Sequence, residues 1–236
     1  MNGKCSKDNL VLDIEGRAVP LRIRRNARAR RLILRIDGER DGVVVTLPGR
    51  VPVEEGLDLA RGKAAWIVRQ LDRLAPRVPF ADGAVVPILG DDHRIRFDPT
   101  GRRPVSRGTG EIVVTGRPEH LARRLTDWLK GEARSLIAPL AHAKAQSLGR
   151  SPGAITLRDT RSRWGSCSAD GKLSFSWRLV MAPEHILDYV VAHEVAHLVE
   201  RNHGPRFWDL AAQMTGDVET ARAWLNAFGA RLHRYG

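Results

Sequence analysis

The stretch VVAHEVAHLVERNHGPRFW, residues 190 to 208, gathers three of the chain's eight histidines and two glutamates into nineteen positions. Two of those histidines, His193 and His197, fall inside an apolar run. An imidazole among valines and alanines needs a hydrogen-bond partner or a metal to offset its lost hydration. Upstream, Pro183 suits the first turn of a helix, and the run from Glu184 to about Glu200 has no glycine and no further proline. Ile186, Leu187, Val190, Val191, Val195, Leu198 and Val199 occupy nearly every side of it, which predicts a buried helix. His193 and His197 stand four apart and so share one face, about one turn from each other. Two imidazole nitrogens there can converge on one ion at about 2.0–2.1 Å each. Glu194 points to the side of that pair, where a carboxylate reaches a water at the metal and not the metal itself.

An open tetrahedral site needs a third protein ligand. His203 lies six residues beyond His197 and would be rotated about 240° off the ligand face if the helix continued. The helix must therefore end first. Asn202 tolerates a left-handed backbone, Gly204 has no Cβ to hinder a turn, and Pro205 suits the start of a new helix. Glu200 is the competing ligand, though it sits three residues after His197 on the same helix, and His203 is preferred. The spacing HExxHxxxxxH equals that of the metzincins, but Glu200 stands where they have glycine. Met214 reads as core filler at a helix end and not as a Met-turn.

Around this centre the chain divides by pattern. Residues 10 to 47 alternate apolar and polar positions in short runs, which predicts strands. Residues 53 to 75 have helical spacing through Leu57, Ala60, Ala64, Ile67, Leu71 and Leu74. "AVVPILGDDHRIRFD" and "EIVVTG" return to strands. From Pro118 a long helix is expected, with Pro139 as a kink. After Gly153, "AITLRDT" and "KLSFSWRLV" read as strands joined by the loop "RSRWGSCSADG", and two helices close the chain after the histidines. No internal repeat is visible. The expectation is a β-rich N-terminal region with one helix over residues 1–117 and a metallohydrolase module over 118–236.

Composition narrows the setting. No apolar run approaches the roughly 20 residues of a membrane span, and the N-terminus lacks the apolar core of a signal peptide. Two cysteines, Cys5 and Cys167, do not make a disulfide framework, so a cytoplasmic protein is expected. The net charge of +12 draws on "RIRRNARARRLILR", residues 22 to 35, with seven arginines and no acid. That stretch admits a nucleic-acid or nucleotide partner. It lacks aromatic residues for base stacking, which favours a solvated strand face instead.

The blocks "RRNARARRLILRI", "KAAWI", "FADGAVVPILG", "TRSRWGSCSADGKLSFSWRLVMAP", "LDYVVAHEVAHLVERNHGPRFW" and "ARAWLNAFGARL" together resemble the YgjP-like family of zinc-dependent metallohydrolases, relatives of the SprT-like and WLM metallopeptidases. The likeness runs nearly end to end. It implies His193, His197 and His203 as zinc ligands and Glu194 as catalytic acid/base, in agreement with the helical geometry. Gly204 stands where relatives often carry serine.

The RWGSC block admits two readings. A strand edge there could pair with an extended peptide, with Arg163 or Arg178 stabilising oxyanion charge. Alternatively Trp164 and Trp177 pack over the helix and the arginines extend past them to water. Cys167 is a nucleophile, a fourth metal ligand or a small buried thiol, the last being favoured. Tyr189, one turn before His193, either hydrogen-bonds in the site or simply packs.

The expected protein is α+β: a zincin-like metallopeptidase module with an HExxH helix and a small antiparallel sheet, preceded by the β-rich region. It would hydrolyse peptide bonds with Zn²⁺ and Glu194 as general base, acting on a peptide or protein. The rivals are a metal-dependent nucleotide phosphoanhydride hydrolase and a nucleic-acid-associated protein with a closed structural zinc site.

Overall fold

A computed structural model describes residues 9–38 and 40–236, so Cys5 lies outside the described residues. The fold is α+β and forms two compact units, Met1–Pro76 and Arg77–Gly236. The division expected near residue 117 falls inside the second unit. Its physical reason is shared burial: strand residues Ile95, Ile112 and Val114 enter the same core as Leu125, Leu129 and Val191 from the helices.

In the N-terminal unit, strands β1 (Asn9–Ile14), β2 (Arg17–Asn26), β3 (Ile33–Asp37) and β4 (Gly42–Pro48) form a sheet in the order β1-β2-β4-β3. β2 and β4 run parallel, and the outer pairs are antiparallel. The two-residue period puts Val19, Leu21 and Ile23 on one face with Val43, Val45 and Leu47, all buried. Helices α1 (Val53–Gly62) and α2 (Ala64–Asp72) complete this core through Ala60, Ile67 and Leu71. One helix was expected over 53–75; it breaks at Lys63, where φ is −109° and ψ is 16°. Gly62 just before the break is a poor helix former. Gly56 is required by close approach, since a Cβ there would lie 2.8 Å from Leu47 Cδ2. In the arginine stretch, Arg25 donates to the carbonyls of Gly49 and Val51, and Arg22 lies 3.6 Å from Asp37. Arg24, Arg28, Arg30, Arg31 and Arg35 are exposed.

The C-terminal unit opens with β5 (Val85–Ile88), β6 (Asp91–Asp98), β7 (Val105–Gly108) and β8 (Glu111–Thr115), ordered β5-β6-β8-β7 with a parallel central pair. Strand order and directions repeat those of the first sheet, and helices follow in both cases. The repeat is one of topology, invisible as sequence identity because only the apolar alternation is shared. Helix α3 (Leu121–Ser147) runs through Pro139 as one continuous element. Its buried residues Leu121, Leu125, Leu129, Ala133, Ile137, Ala141 and Ala145 are four apart throughout. Each such step overshoots a full turn by about 40°, so the stripe winds around the helix. α3 accordingly packs against both β8 and the histidine helix.

A second sheet combines β9 (Ile155–Arg158), β10 (Gly165–Cys167) and β11 (Leu173–Ser176) in the order β10-β11-β9. It is mixed, and not the small antiparallel sheet expected: β10 and β11 are antiparallel, while β9 and β11 are parallel. The cause lies in the segment read as a loop, because Gly165–Cys167 forms a hairpin strand and turns the chain back before β11. The second expected strand stops at Ser176, and Trp177–Met181 is a buried 3-10 segment. Then come α4 (Glu184–Ala196), α5 (Pro205–Met214) and α6 (Val218–Leu232). Among the described residues no helix is long and apolar enough to cross a membrane.

Candidate metal centre

Helix α4 is buried nearly all round, with Ile186, Leu187, Val190, Val191 and Val195 in the core. It ends at Ala196, four residues before the expected end, with His197 as its C-cap. The last turn tightens through bonds from Leu198 N to Val195 O and from Val199 N to Ala196 O. A short turn follows, in which Gly204 N donates to Asn202 O at 2.8 Å. No left-handed residue is used: Asn202 is not among the positive-φ residues, and Gly204 is extended at φ −81° and ψ −179°. The expected glycine conformation is unnecessary because tightened helical bonds and the three-residue turn reverse the chain. A Cβ on Gly204 would meet nothing within 4 Å, which leaves room for serine. Pro205 starts α5 as anticipated.

The bend carries His203 back over α4. The ligand atoms of His193, His197 and His203 all lie within 4.8 Å of one another. His193 Nε2 and His203 Nε2 are 3.1 Å apart. Tetrahedral bonds of about 2.0–2.1 Å would separate two nitrogens by about 3.3 Å, so this pair is spaced to share an ion. The ring centroids form a near-equilateral triangle with sides of 5.1, 4.9 and 4.8 Å. Phe207 is fully buried on α5, with its ring centroid 4.9, 4.5 and 4.6 Å from His193, His197 and His203. One phenyl ring therefore floors the whole triad.

The outer nitrogens are held in place. The Glu200 carbonyl accepts from His197 Nδ1–H at 3.0 Å, which leaves Nε2 with its lone pair for a metal. Tyr189 Oη lies 3.5 Å from His193 Nδ1, so Tyr189 is at once packed and at the edge of the site. Trp208 Nε1 donates to the His203 carbonyl at 3.1 Å. Burial, together with the neighbouring His197 and His203, lowers the His193 pKa to about 4. Burial lowers that of His197 as well. Both rings are thus neutral at pH 7, the form that binds metal. His93 shows the alternative fate of a buried histidine: it accepts from Arg107 Nε and reaches the Asp91 carbonyl, so both nitrogens are satisfied by the chain.

Glu194 is only 6% exposed and lies against the edge strand β10. A Cβ on Gly165 would be 2.4 Å from Glu194 Cγ, and the Cys167 backbone N–H donates to the carboxylate. The hairpin register explains that bond. Ser176 N bonds Trp164 O and Ser168 N bonds Lys172 O, so the even-numbered residues face β11. Gly165 and Cys167 then turn their peptide groups outward, toward α4. Burial raises the Glu194 pKa to about 7, against the opposing pull of Arg163 and the Cys167 N–H.

Triad, Glu194 and β10 together line a cleft of about 390 Å³, completed by Arg163 and Arg201. Glu200 is not part of the ligand cluster; its carboxylate pairs with Arg206 at 3.3 Å. Cys167 lies in the cleft wall, half-buried, outside the ligand cluster, with its pKa raised mainly by burial. Arg178 does not line the cleft. It pairs with Asp159 at 2.8 Å and donates to the carbonyls of Leu232 and Tyr235, clasping the C-terminal end of the chain. Trp177 is buried beside it, and Trp164 stacks on His233 at 4.9 Å. Met214 closes α5 against the core. Sequence reasoning placed Gly165 in a block offered as a strand edge, without its close approach to Glu194; it missed Arg201 and took Phe207 for ordinary core.

The donor set suits a divalent metal: three imidazoles, two of them neutral by burial, with a carboxylate beside them. The family model for the YgjP-like metallopeptidase domain matches residues 30–228. No curated protein and no solved structure matches the chain. With the match covering most of its length and the histidine cluster falling inside it, the chain belongs to the YgjP-like metallopeptidase-domain family.

Proposed function

We propose that the protein is a zinc-dependent peptidase in which His193, His197 and His203 hold the metal and Glu194 is the general acid/base. The observation that carries this reading is the convergence of three imidazoles beside a buried carboxylate in one cleft. Zinc, when bound, would polarise the scissile carbonyl and acidify the attacking water. Glu194 would accept the water's proton on its carboxylate and hand it to the leaving amine. The Cys167 N–H orients that carboxylate, and burial places its pKa near neutrality, where it both takes and gives a proton. Tyr189 and the Glu200 carbonyl hold the ligand rings. With the Cys167 N–H engaged by Glu194, the outward peptide group of Gly165 and the Cys167 carbonyl offer an extended substrate a strand edge to pair with. A three-histidine set without Cys167 or Glu200 leaves a fourth position for substrate, which favours a catalytic over a closed structural site.

The test compares wild type with Glu194→Gln, zinc-loaded, against peptide and nucleotide panels. The variant should keep stoichiometric zinc and lose peptide turnover, while His203→Ala should lose zinc and Glu200→Ala should keep it. Nucleotide hydrolysis without peptide cleavage, or a Glu194→Gln protein as active as wild type, would defeat the proposal.

A further inference from the structure

Two arginines of the metal cleft take no step in the reaction proposed above, although Arg163 pulls on the Glu194 carboxyl, and they flank one strand. Arg163 lines the cleft three residues before Ser166, the centre of β10. Arg201 lines it from the bend after α4, and its Nη2 donates to the carbonyl of Ala169, three residues after Ser166, at 2.6 Å. Between them only Gly165–Cys167 is extended, and Ala169 lies in the hairpin turn that follows, so the two ends are closer than the roughly 20 Å of six extended steps. Both residues are exposed, and among the described residues the one acidic side chain lining the cleft is Glu194, which is buried.

We infer that Arg163 and Arg201 select peptides carrying acidic side chains on both sides of the scissile bond, near the third residue each way. The inference rests on the peptidase reading of the same site. A substrate strand laid along β10 brings its centre to Glu194 and its ends to the two guanidinium groups. Arginine binds carboxylate through paired N–H donors, and the tether through Nη2 leaves most of Arg201's donors free. A lysine at either end meets a like charge and no carboxylate partner in the cleft wall, which excludes basic peptides as effectively as the arginines attract acidic ones.

The experiment uses the zinc-reconstituted full chain and quenched-fluorescent decapeptides of one central sequence, with Asp, Ala or Lys at the third position on each side. Binding of the same peptides to Glu194→Gln is read by fluorescence anisotropy. KM should fall about 2- to 5-fold per acidic end relative to alanine, with kcat little changed, and rise for lysine. Arg201→Glu should invert the preference at one end alone, and Arg163→Gln should flatten it at the other. Arg134→Glu, on the exposed surface of α3, controls for attraction to the overall charge of +12 and should leave the ranking intact. Cleavage without charge ranking, a ranking indifferent to the Arg201 and Arg163 variants, or one equally shifted by Arg134→Glu overturns the inference while the peptidase reading stands. Failure to cleave or bind any of the peptides overturns both.

Discussion

Replacing Gly165 by alanine adds one carbon at the point where the edge strand meets Glu194. That carbon would lie 2.4 Å from Glu194 Cγ, 2.6 Å from Oε1 and 2.8 Å from Cδ. Comfortable carbon–carbon contact is about 3.5–4.0 Å, so something must move by about 1 Å. The obstacle is a side chain and not backbone, and the carboxylate is therefore what gives way, losing its bond from the Cys167 N–H. The folding penalty should be modest, about 1–2 kcal/mol, at the low end for overpacking. The catalytic penalty should be larger, because a 1 Å displacement of a reacting group costs on the order of 10²-fold. Peptide turnover, zinc stoichiometry and urea unfolding of Gly165→Ala separate the two effects: zinc stays, kcat/KM falls about 10²-fold, and stability drops slightly. A cycle with Glu194→Ala isolates the clash, since truncating the carboxylate makes the added methyl harmless to stability. Full turnover in Gly165→Ala, or the same destabilisation with Glu194 already truncated, would refute the reasoning.

Two further consequences concern charge. In the metal-free protein the Glu194 carboxyl has a pKa of about 7, against an ordinary 4.5. Below pH 4.5 it is protonated folded or unfolded and adds no pH dependence; as pH rises through 4.5 to 7 the unfolded chain ionises first and stability is lost. The loss amounts to about 3 kcal/mol above pH 7. Glutamine cannot ionise, so metal-free Glu194→Gln should gain that much on wild type between pH 4.5 and 8 in urea unfolding, and a pH-independent difference would contradict the buried-carboxyl account. Arg178→Ala should lower stability by about 2–4 kcal/mol, as the buried guanidinium loses Asp159 and two carbonyls, while kcat/KM of the folded variant stays near wild type. Collapse of turnover in a fully folded Arg178→Ala protein would return that arginine to the catalytic machinery.

The histidine helix and its partner were legible in the chain because their signal is local. A spacing of four sets His193 and His197 on one face whatever surrounds them, and apolar residues on every side mark the helix as buried. The need for a helix stop before His203 followed from the same arithmetic, and Pro205 marked where the next helix begins. The alternation of Val19, Leu21 and Ile23, and of Val43, Val45 and Leu47, likewise announced strands. What escaped depends on pairing across distance. Gly165–Cys167, for which a strand edge was only one of two readings, has too few residues to show a period and becomes a strand by bonding to β11. From that pairing come the mixed sheet, the outward peptide groups and the clamp on Glu194. The unit boundary after Pro76 escaped for a related reason, since a core shared by β8 and α4 leaves no mark in the composition near residue 117. Arg163 and Arg178, equivalent candidates as sequence, parted company because one lines the cleft and the other meets Asp159 and the C-terminal carbonyls. Periodicity fixes which face a residue occupies within its own element. Which elements face each other is set by burial and hydrogen bonding among residues far apart in the chain, and only tertiary structure resolves that.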